Sequence, residues 1–289
     1  MFGGPGSPGM RFGMRSSASR ALTDYLNAQI DQIEIGDAEL RHGVGEDPVH
    51  DTRVAIRRLR STLRVFGKLL DGPKVGDVDG ELKWFAALLG DVRDCEVQER
   101  RFNKALDRMP DELILGPVRS RIRNDLRAIE LPARARLGEA MDSDRYRALL
   151  AVLRGWREEP PVAQWISATA LRKRSRRARR KADRRLAAAL ESGDDAMLHR
   201  ARKAAKRARY AAELRKPLDK RAKRTVKHYK RIQSLLGDHQ DTVVATETLR
   251  HMALAAGTAI GENGFSYGML YAREQQLARR CREDALQLV

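Results

Sequence analysis

A histidine and a run of arginines share one side of a helix in VHDTRVAIRRLRSTLRVFGKLL (Val49 to Leu70), and LHRARKAAKRARYAAEL returns to the pattern some 150 residues later. His50, Arg53, Arg57, Arg58 and Arg60 align with His199, Arg202, Lys206, Arg207 and Arg209, so the chain carries an internal repeat. At about 100° per residue, His50, Arg53, Arg57, Arg60 and Arg64 fall within roughly 80° of one another. Ile56, Leu59, Leu63, Phe66 and Leu70 cluster about 120° away, which sets a cationic edge beside a buried face. Like charges one turn apart repel, and a stripe of five costs its helix on the order of 1 kcal/mol, so an anion is expected to offset it. Arginine forks grip phosphate oxygens two at a time, and phosphate is the chemistry this spacing suits.

The helix starts point the same way. Asp47-Pro48 reads as an N-cap followed by proline at the first helical position, and Asp71-Gly72-Pro73 as a stop. His50 then sits in the first turn, and Asp194 or Asp195 would cap the second copy ahead of His199. Exposed N–H groups and the positive end of the helix dipole at these turns favour an anion. A histidine among cations could also accept a phosphoryl group, and two together could hold a metal. Against catalysis, the chain has no Walker-type glycine loop, no H-E-x-x-H and no obvious carboxylate partner at ligand spacing. No cofactor or metal is expected. His42, His228, His239 and His251 lack the repeated context and read as surface or structural residues.

A second segment repeats as well. LKWFAALLGDVRD (Leu82 to Asp94) parallels YKRIQSLLGDHQD (Tyr229 to Asp241), matching Lys83 with Lys230, Asp91 with Asp238 and Asp94 with Asp241. These acids, one turn apart, read as partners for nearby arginines rather than metal ligands.

Composition names the partner class. With 57 Lys+Arg against 39 Asp+Glu, the net charge is +18, which calls for nucleic acid, polyphosphate or an anionic surface. Cys95 and Cys281 are too few and too helically placed for a disulfide framework, and apolar runs such as Ala148 to Leu153 are too short for membrane insertion. A cytoplasmic protein is expected. Residues 1–18, rich in Gly, Pro and Ser with no apolar core, read as a disordered tail and not a secretory signal.

Helical spacing covers the rest, and the fold class is all-α. Helices are expected over Arg20–Arg41, Pro48–Leu70, Glu81–Met109, Val118–Ala140 with a break near Pro132, Asp144–Glu158, Val162–Glu191, Ala196–Lys216, Asp219–Ala256 and Phe265–Leu288. The linker at Glu158 to Pro161 divides residues 19–287 into two bundles, 19–158 and 162–287.

The order V-H-x-x-R-V-A-x-R-R-L-R, L-L-G-x-x-R-D, H-R-x-R-x-A-A-K-R-x-R-Y-x-x-E-L, L-L-G-x-x-x-D resembles the CHAD family, the conserved histidine α-helical domain, from about Ser19 to about Gln287. The resemblance implies two pseudo-symmetric four-helix bundles whose basic residues line a central cavity for inorganic polyphosphate, with possible residence at polyphosphate granules. Carried over, it points to His50, Arg53, Arg57, Arg60, His199, Arg202, Lys206 and Arg209, with Arg64 extending the stripe and Lys83 and Lys230 joining it. The second block departs from the first in its buried alanines, Ala201, Ala204, Ala205 and Ala208, which implies closer packing there. Members are often joined to a triphosphate-handling β-barrel, whose activity is not assumed for this chain.

The basic segment Arg172 to Arg185 should also border the cavity, through Arg172, Arg176 and Arg179 or through Lys173, Arg177, Arg180 and Arg184; Arg176 and Arg180 are taken as candidates from the two stripes. Polyphosphate has no bases, whereas a single-strand nucleic-acid site interleaves stacking aromatics. Aromatics are 5% of this chain and nearly absent from the basic helices, Tyr210 excepted. Non-catalytic polyphosphate binding is therefore the leading expectation and sequence-independent nucleic-acid binding the second.

Overall fold

The computed structural model describes residues 15–287, so most of the expected tail lies outside the described residues. The chain is all-α: α1 (Ser17–His42), α2 (Pro48–Phe66), the single turn α3 (Gly72–Val75), α4 (Val78–Leu106), α5 (Val118–Asp142), α6 (Asp144–Glu158), α7 (Ala168–Ser192), α8 (Asp195–Leu214), α9 (Ala222–Thr258) and α10 (Phe265–Leu286). Among the described residues the one β contact is an isolated bridge between Leu70 and Val162.

Several ends differ from the periodicity. α1 begins before Arg20 because the Ser16 hydroxyl caps it, accepting from the Ser19 N–H at 3.1 Å. α7 starts only at Ala168, since residues 162–167 are tied to the start of α1 instead: Ser19 Oγ donates to Ala163 O and accepts from Ile166 N–H. Pro132 does not break α5. It lies on the exposed side with Ala128, whose carbonyl it leaves without a helical donor, while Ala133 and Leu137 stay packed.

Among the described residues three apolar clusters hold the helices. The first joins Leu22, Ile30, Ile56, Leu59, Phe66 and Phe85 of α1, α2 and α4 to α6, and it takes in Leu171 of α7 and Leu214 of α8. The third is built on Ala182 and Leu186 of α7, the buried alanines of α8, and Tyr229, Ile232 and Leu236 of α9. Between them, Phe102 and Leu106 of α4 with Ile122 and Leu126 of α5 meet Leu249 and Met252 of α9 and Tyr267 and Leu270 of α10. Apolar packing thus crosses the mid-chain linker. A buried carboxylate crosses it too, for Glu274 of α10, 2% exposed, accepts from the Arg101 guanidinium of α4.

Candidate functional site

Helix α2 is positioned by its apolar side. Ile56, Leu59 and Phe66 have no exposure, and that leaves Arg53, Arg57 and Arg60 half-buried at the border of the core. Helix α8 does the same with alanines: Ala201, Ala204, Ala205 and Ala208 are buried between α7 and α9, and Arg202, Lys206 and Arg209 stand at the rim. Small side chains let α8 approach both neighbours. α8 also packs on α2, and this contact brings the two repeats together.

At that crossing Lys206 is enclosed by Arg202 on its own helix and by Arg57 and Arg53 of α2, with Asp241 of α9 the opposing charge. Burial first, then the three arginines, pull the Lys206 ammonium down to about 6. Burial also lowers the Arg57 guanidinium, with Arg53 and Arg202 adding to the effect against Tyr210. The Nε–H donors of Arg57 and Arg202 are buried with no hydrogen-bond partner. Among the described residues neither arginine, nor Lys206, makes an ion pair. Two arginines with orphaned buried donors converge on Lys206, with Asp241 facing them but no ion pair formed, and an under-compensated cluster of this kind is a receptor for an external anion.

The repeated L-L-G segments explain how close this packing is. A Cβ on Gly90 of α4 would fall 3.1 Å from Arg53 Nη2, and one on Gly237 of α9 would fall 3.3 Å from Arg202 Nη2. Each repeat thus lays its first arginine flat over a glycine of the helix that follows. One turn on, Asp94 pairs with Arg53 at 2.9 Å, which is the arginine-partner role expected of that acid. Asp241, its counterpart, lies near Arg202 but is held above the usual carboxylate range, mainly by burial.

The other candidates are placed as follows. His50 and His199 flank the crossing, half-buried, and both imidazoles sit below the ordinary value through burial first; Arg93 and Arg57 add to this at His50, and Lys203 at His199. His199 Nδ1 is buried without a partner. The expectation of open N–H groups beside the histidines is corrected. Asp47 accepts from the His50 N–H at 3.3 Å and pairs with Arg93 at 2.8 Å, and Asp194, not Asp195, caps α8 through Met197 N–H at 2.7 Å. Each helix start already holds an anion, its own carboxylate. Arg60 and Arg64 share Asp79 (3.1 and 2.7 Å), while Arg209 pairs with Glu213 at 3.0 Å and lies over Tyr210. Lys83 and Lys230 are exposed, two turns before Gly90 and Gly237 on the same helix face.

Arg176 and Arg180 are exposed and do not line the groove between α2, α7 and α8; Arg174, Arg177 and Lys181 do, with Arg64 and Arg207. Arg174, Lys181 and Arg207 were not among the site residues expected from sequence, although Arg207 aligns with Arg58. The signal lay in the apolar positions of α7: Leu171, Ala182 and Leu186 are buried, and Arg174, Lys181 and Arg185 sit beside them. His239 is structural, buried and accepting from Arg282 Nε at 2.9 Å.

Comparison with known proteins bears on this geometry. Residues 24–250 match the model of the CHAD domain. Two uncharacterized proteins of Mycobacterium tuberculosis, from strains CDC 1551 and H37Rv, are each 36% identical over 265 residues, covering 90% of this chain and 50% of the relative. The chain therefore spans about half the length of the curated relatives it matches. Among solved structures, PptA from Streptomyces chartreusis superposes with a TM-score of 0.78 at 22% identity, covering 94% of this chain and 99% of that one, a likeness of fold. The CHAD domain from the plant Ricinus communis superposes with a TM-score of 0.72 at 25% identity, covering 96% and 95%. No catalytic family is indicated by these likenesses.

Proposed function

The chain belongs to the CHAD domain family, and from that premise, joined to the unpaired cations at the crossing of α2 and α8, we propose that it binds inorganic polyphosphate without transforming it. The observation that carries the reading is the enclosure of Lys206 by Arg53, Arg57 and Arg202, with buried unpartnered donors on Arg57 and Arg202. A flexible string of phosphates can reach such a narrow cluster because it brings charge without the bulk of bases. The two repeats act as pseudo-symmetric halves, 19–158 and 162–287, that each contribute an arginine stripe, with His50 and His199 at the edges as donors. Lys83 and Lys230 guide the chain at the periphery. The protein works in the cytoplasm, at polyphosphate granules; no helix among the described residues is long and apolar enough to cross a membrane.

The test is competition between labelled polyphosphate and duplex or single-stranded DNA at matched salt and matched phosphate concentration. Polyphosphate is expected to bind more tightly per phosphate, and its affinity to fall steeply with salt as counterions are released. Displacement of polyphosphate by DNA at equal phosphate would replace this reading with the nucleic-acid one. Chain shortening or phosphohistidine, abolished by His50→Gln and His199→Gln, would replace it with a catalytic one.

A further inference from the structure

The alignment that sets Arg207 opposite Arg58 also sets Glu213 opposite Arg64. One repeat ends its stripe in a cation and the other in a carboxylate, and this makes the two flanks of the crossing unlike.

On the Glu213 flank two arginines share one carboxylate, although the Nε–H groups of Arg58 and Arg209, like those of Arg57 and Arg202, make no hydrogen bond. Glu213 pairs with Arg58 at 3.4 Å and with Arg209 at 3.0 Å, and it accepts from the Tyr25 hydroxyl of α1 at 3.3 Å. Both arginines lie over the Tyr210 ring, 5.7 and 4.9 Å from its centroid. Helix α1 reaches this flank through Tyr25, and its acids Asp31, Glu34 and Asp37 are paired elsewhere, with Arg157, Arg154 and Arg41. A polyanion leaving the crossing here would meet a carboxylate whose two arginine partners are already engaged.

On the other flank Arg207 is half-buried beside Arg64, Arg60 and Arg185, and burial with those charges lowers its guanidinium against the pull of Asp79. It opens on a cavity of about 220 Å³ lined by Arg64, Arg174, Arg177, Lys181 and Arg207, the remaining walls being Val65, Ala178 and Ala204. Asp79 is engaged by Arg60 and Arg64. Among the described residues no ion pair reaches Arg174, Arg177, Lys181 or Arg207. A second concavity shares Lys181 and continues past Arg184, Arg185 and Arg200 toward the α7–α8 turn. The cations form a lane, spaced along a helix, with small apolar side chains as its floor.

We propose that a polyphosphate chain held at the crossing leaves it on one flank only, along the groove between α2, α7 and α8 over Arg207, Arg174, Arg177 and Lys181, while Glu213 keeps the opposite flank shut. The inference rests on the reading of the crossing as a polyphosphate site and adds a path to it. The lane makes affinity grow with chain length, because phosphates beyond those at the crossing find further cations on α7 and release further counterions.

The repeat supplies its own control, since Arg58 and Arg207 are equivalent by sequence and unlike by surroundings. Tripolyphosphate and long-chain polyphosphate are titrated against the wild type, Arg207→Ala, Arg58→Ala, the pair Arg177→Ala with Lys181→Ala, and the pair Arg57→Ala with Lys206→Ala, with helicity checked for each. Arg207→Ala and the α7 pair are expected to lose about tenfold or more in long-chain affinity and to show a shallower salt dependence. Their loss for tripolyphosphate is much smaller, and Arg58→Ala stays close to the wild type. Equal losses for Arg58→Ala and Arg207→Ala would overturn the one-sided path. Wild-type long-chain binding by the α7 pair, with binding lost only in the Arg57 and Lys206 pair, would refute the lane and leave the crossing intact. Full binding by the Arg57 and Lys206 pair would instead remove the polyphosphate reading itself. Loss of duplex DNA binding by the α7 pair, with polyphosphate unaffected, would reassign α7 to nucleic acid.

Discussion

Lys206→Arg probes the centre of the site by replacing a lysine that has lost its charge with a cation that keeps it. In the free protein the Lys206 ammonium lies at about 6, against an ordinary 10.5, because burial and the arginines at 53, 57 and 202 disfavour the charged form. At pH 8 it is therefore neutral, and forcing the proton on would cost about 2.7 kcal/mol at 1.36 kcal/mol per pH unit. A polyphosphate chain in the crossing reverses the surroundings and draws the value back toward 10.5, so binding takes up close to one proton at Lys206. Affinity then rises by up to about tenfold for each pH unit of acidification between roughly 9 and 7. His50 and His199 start below the ordinary histidine value and add their uptake nearer neutrality, which leaves the pH 8 to 9 window to Lys206. Titration calorimetry in buffers of different ionisation enthalpy reads the proton directly. In Lys206→Arg the uptake at pH 8 should vanish and the pH dependence above 8 should flatten, while binding persists because Arg57 already occupies the equivalent place in the first repeat. The same uptake in the variant, or none in the wild type, refutes the reasoning.

Three further outcomes are expected. The same depressed lysine acts on stability: between pH 6 and about 10 the unfolded chain binds a proton that the folded chain refuses, so stability falls as pH drops across that window and levels off below it. Lys206→Met should melt higher than the wild type by a margin that widens from pH 9 to pH 6, and a constant margin would contradict the assignment. Gly90→Ala and Gly237→Ala should each weaken polyphosphate binding by displacing Arg53 or Arg202, although alanine at a helix interior gains up to about 1 kcal/mol in propensity; unchanged binding with raised melting would show that the guanidinium position is irrelevant. Glu274→Gln leaves Arg101 without its charged partner in a buried contact between α10 and α4, so the melting temperature should fall by an amount corresponding to about 3 kcal/mol, with little loss of binding. A melting point like that of the wild type would mean the pair adds nothing.

Much of this protein was written locally. Helical periodicity is a property of a few turns, so the stripes of α2 and α8, the Asp47-Pro48 start and the repeat itself were legible residue by residue. The tie between Arg209 and Glu213 is also local, an i,i+4 pair on one helix, but it was not drawn from the sequence, and it partly neutralises this member of the stripe. Pro132 misled because the lost hydrogen bond and ring clash fall on the exposed side of α5, where packing of Ala133 and Leu137 on the other side carries the helix through, and exposure is not a local property. Asp79, which holds Arg60 and Arg64, stands beyond the end of α2 and gave no periodic signal.

What the sequence by itself determined is the set of cationic helices and the glycines that accompany them. Which cations remain unpaired was decided by packing, because pairing depends on carboxylates brought from distant segments. The crossing of α2 and α8 put Lys206 among three arginines of which only one is on its own helix, and no spacing rule anticipates a charge cluster formed across 149 residues of repeat offset. The basic helix α7 shows the same division. Its composition announced a cationic surface, but with charges on every side only the small apolar residues that seat it against α2 and α8 select the face of Arg174, Arg177 and Lys181. Local sequence sets what a helix carries; burial and charge, which sum over all neighbours in space, set what it presents.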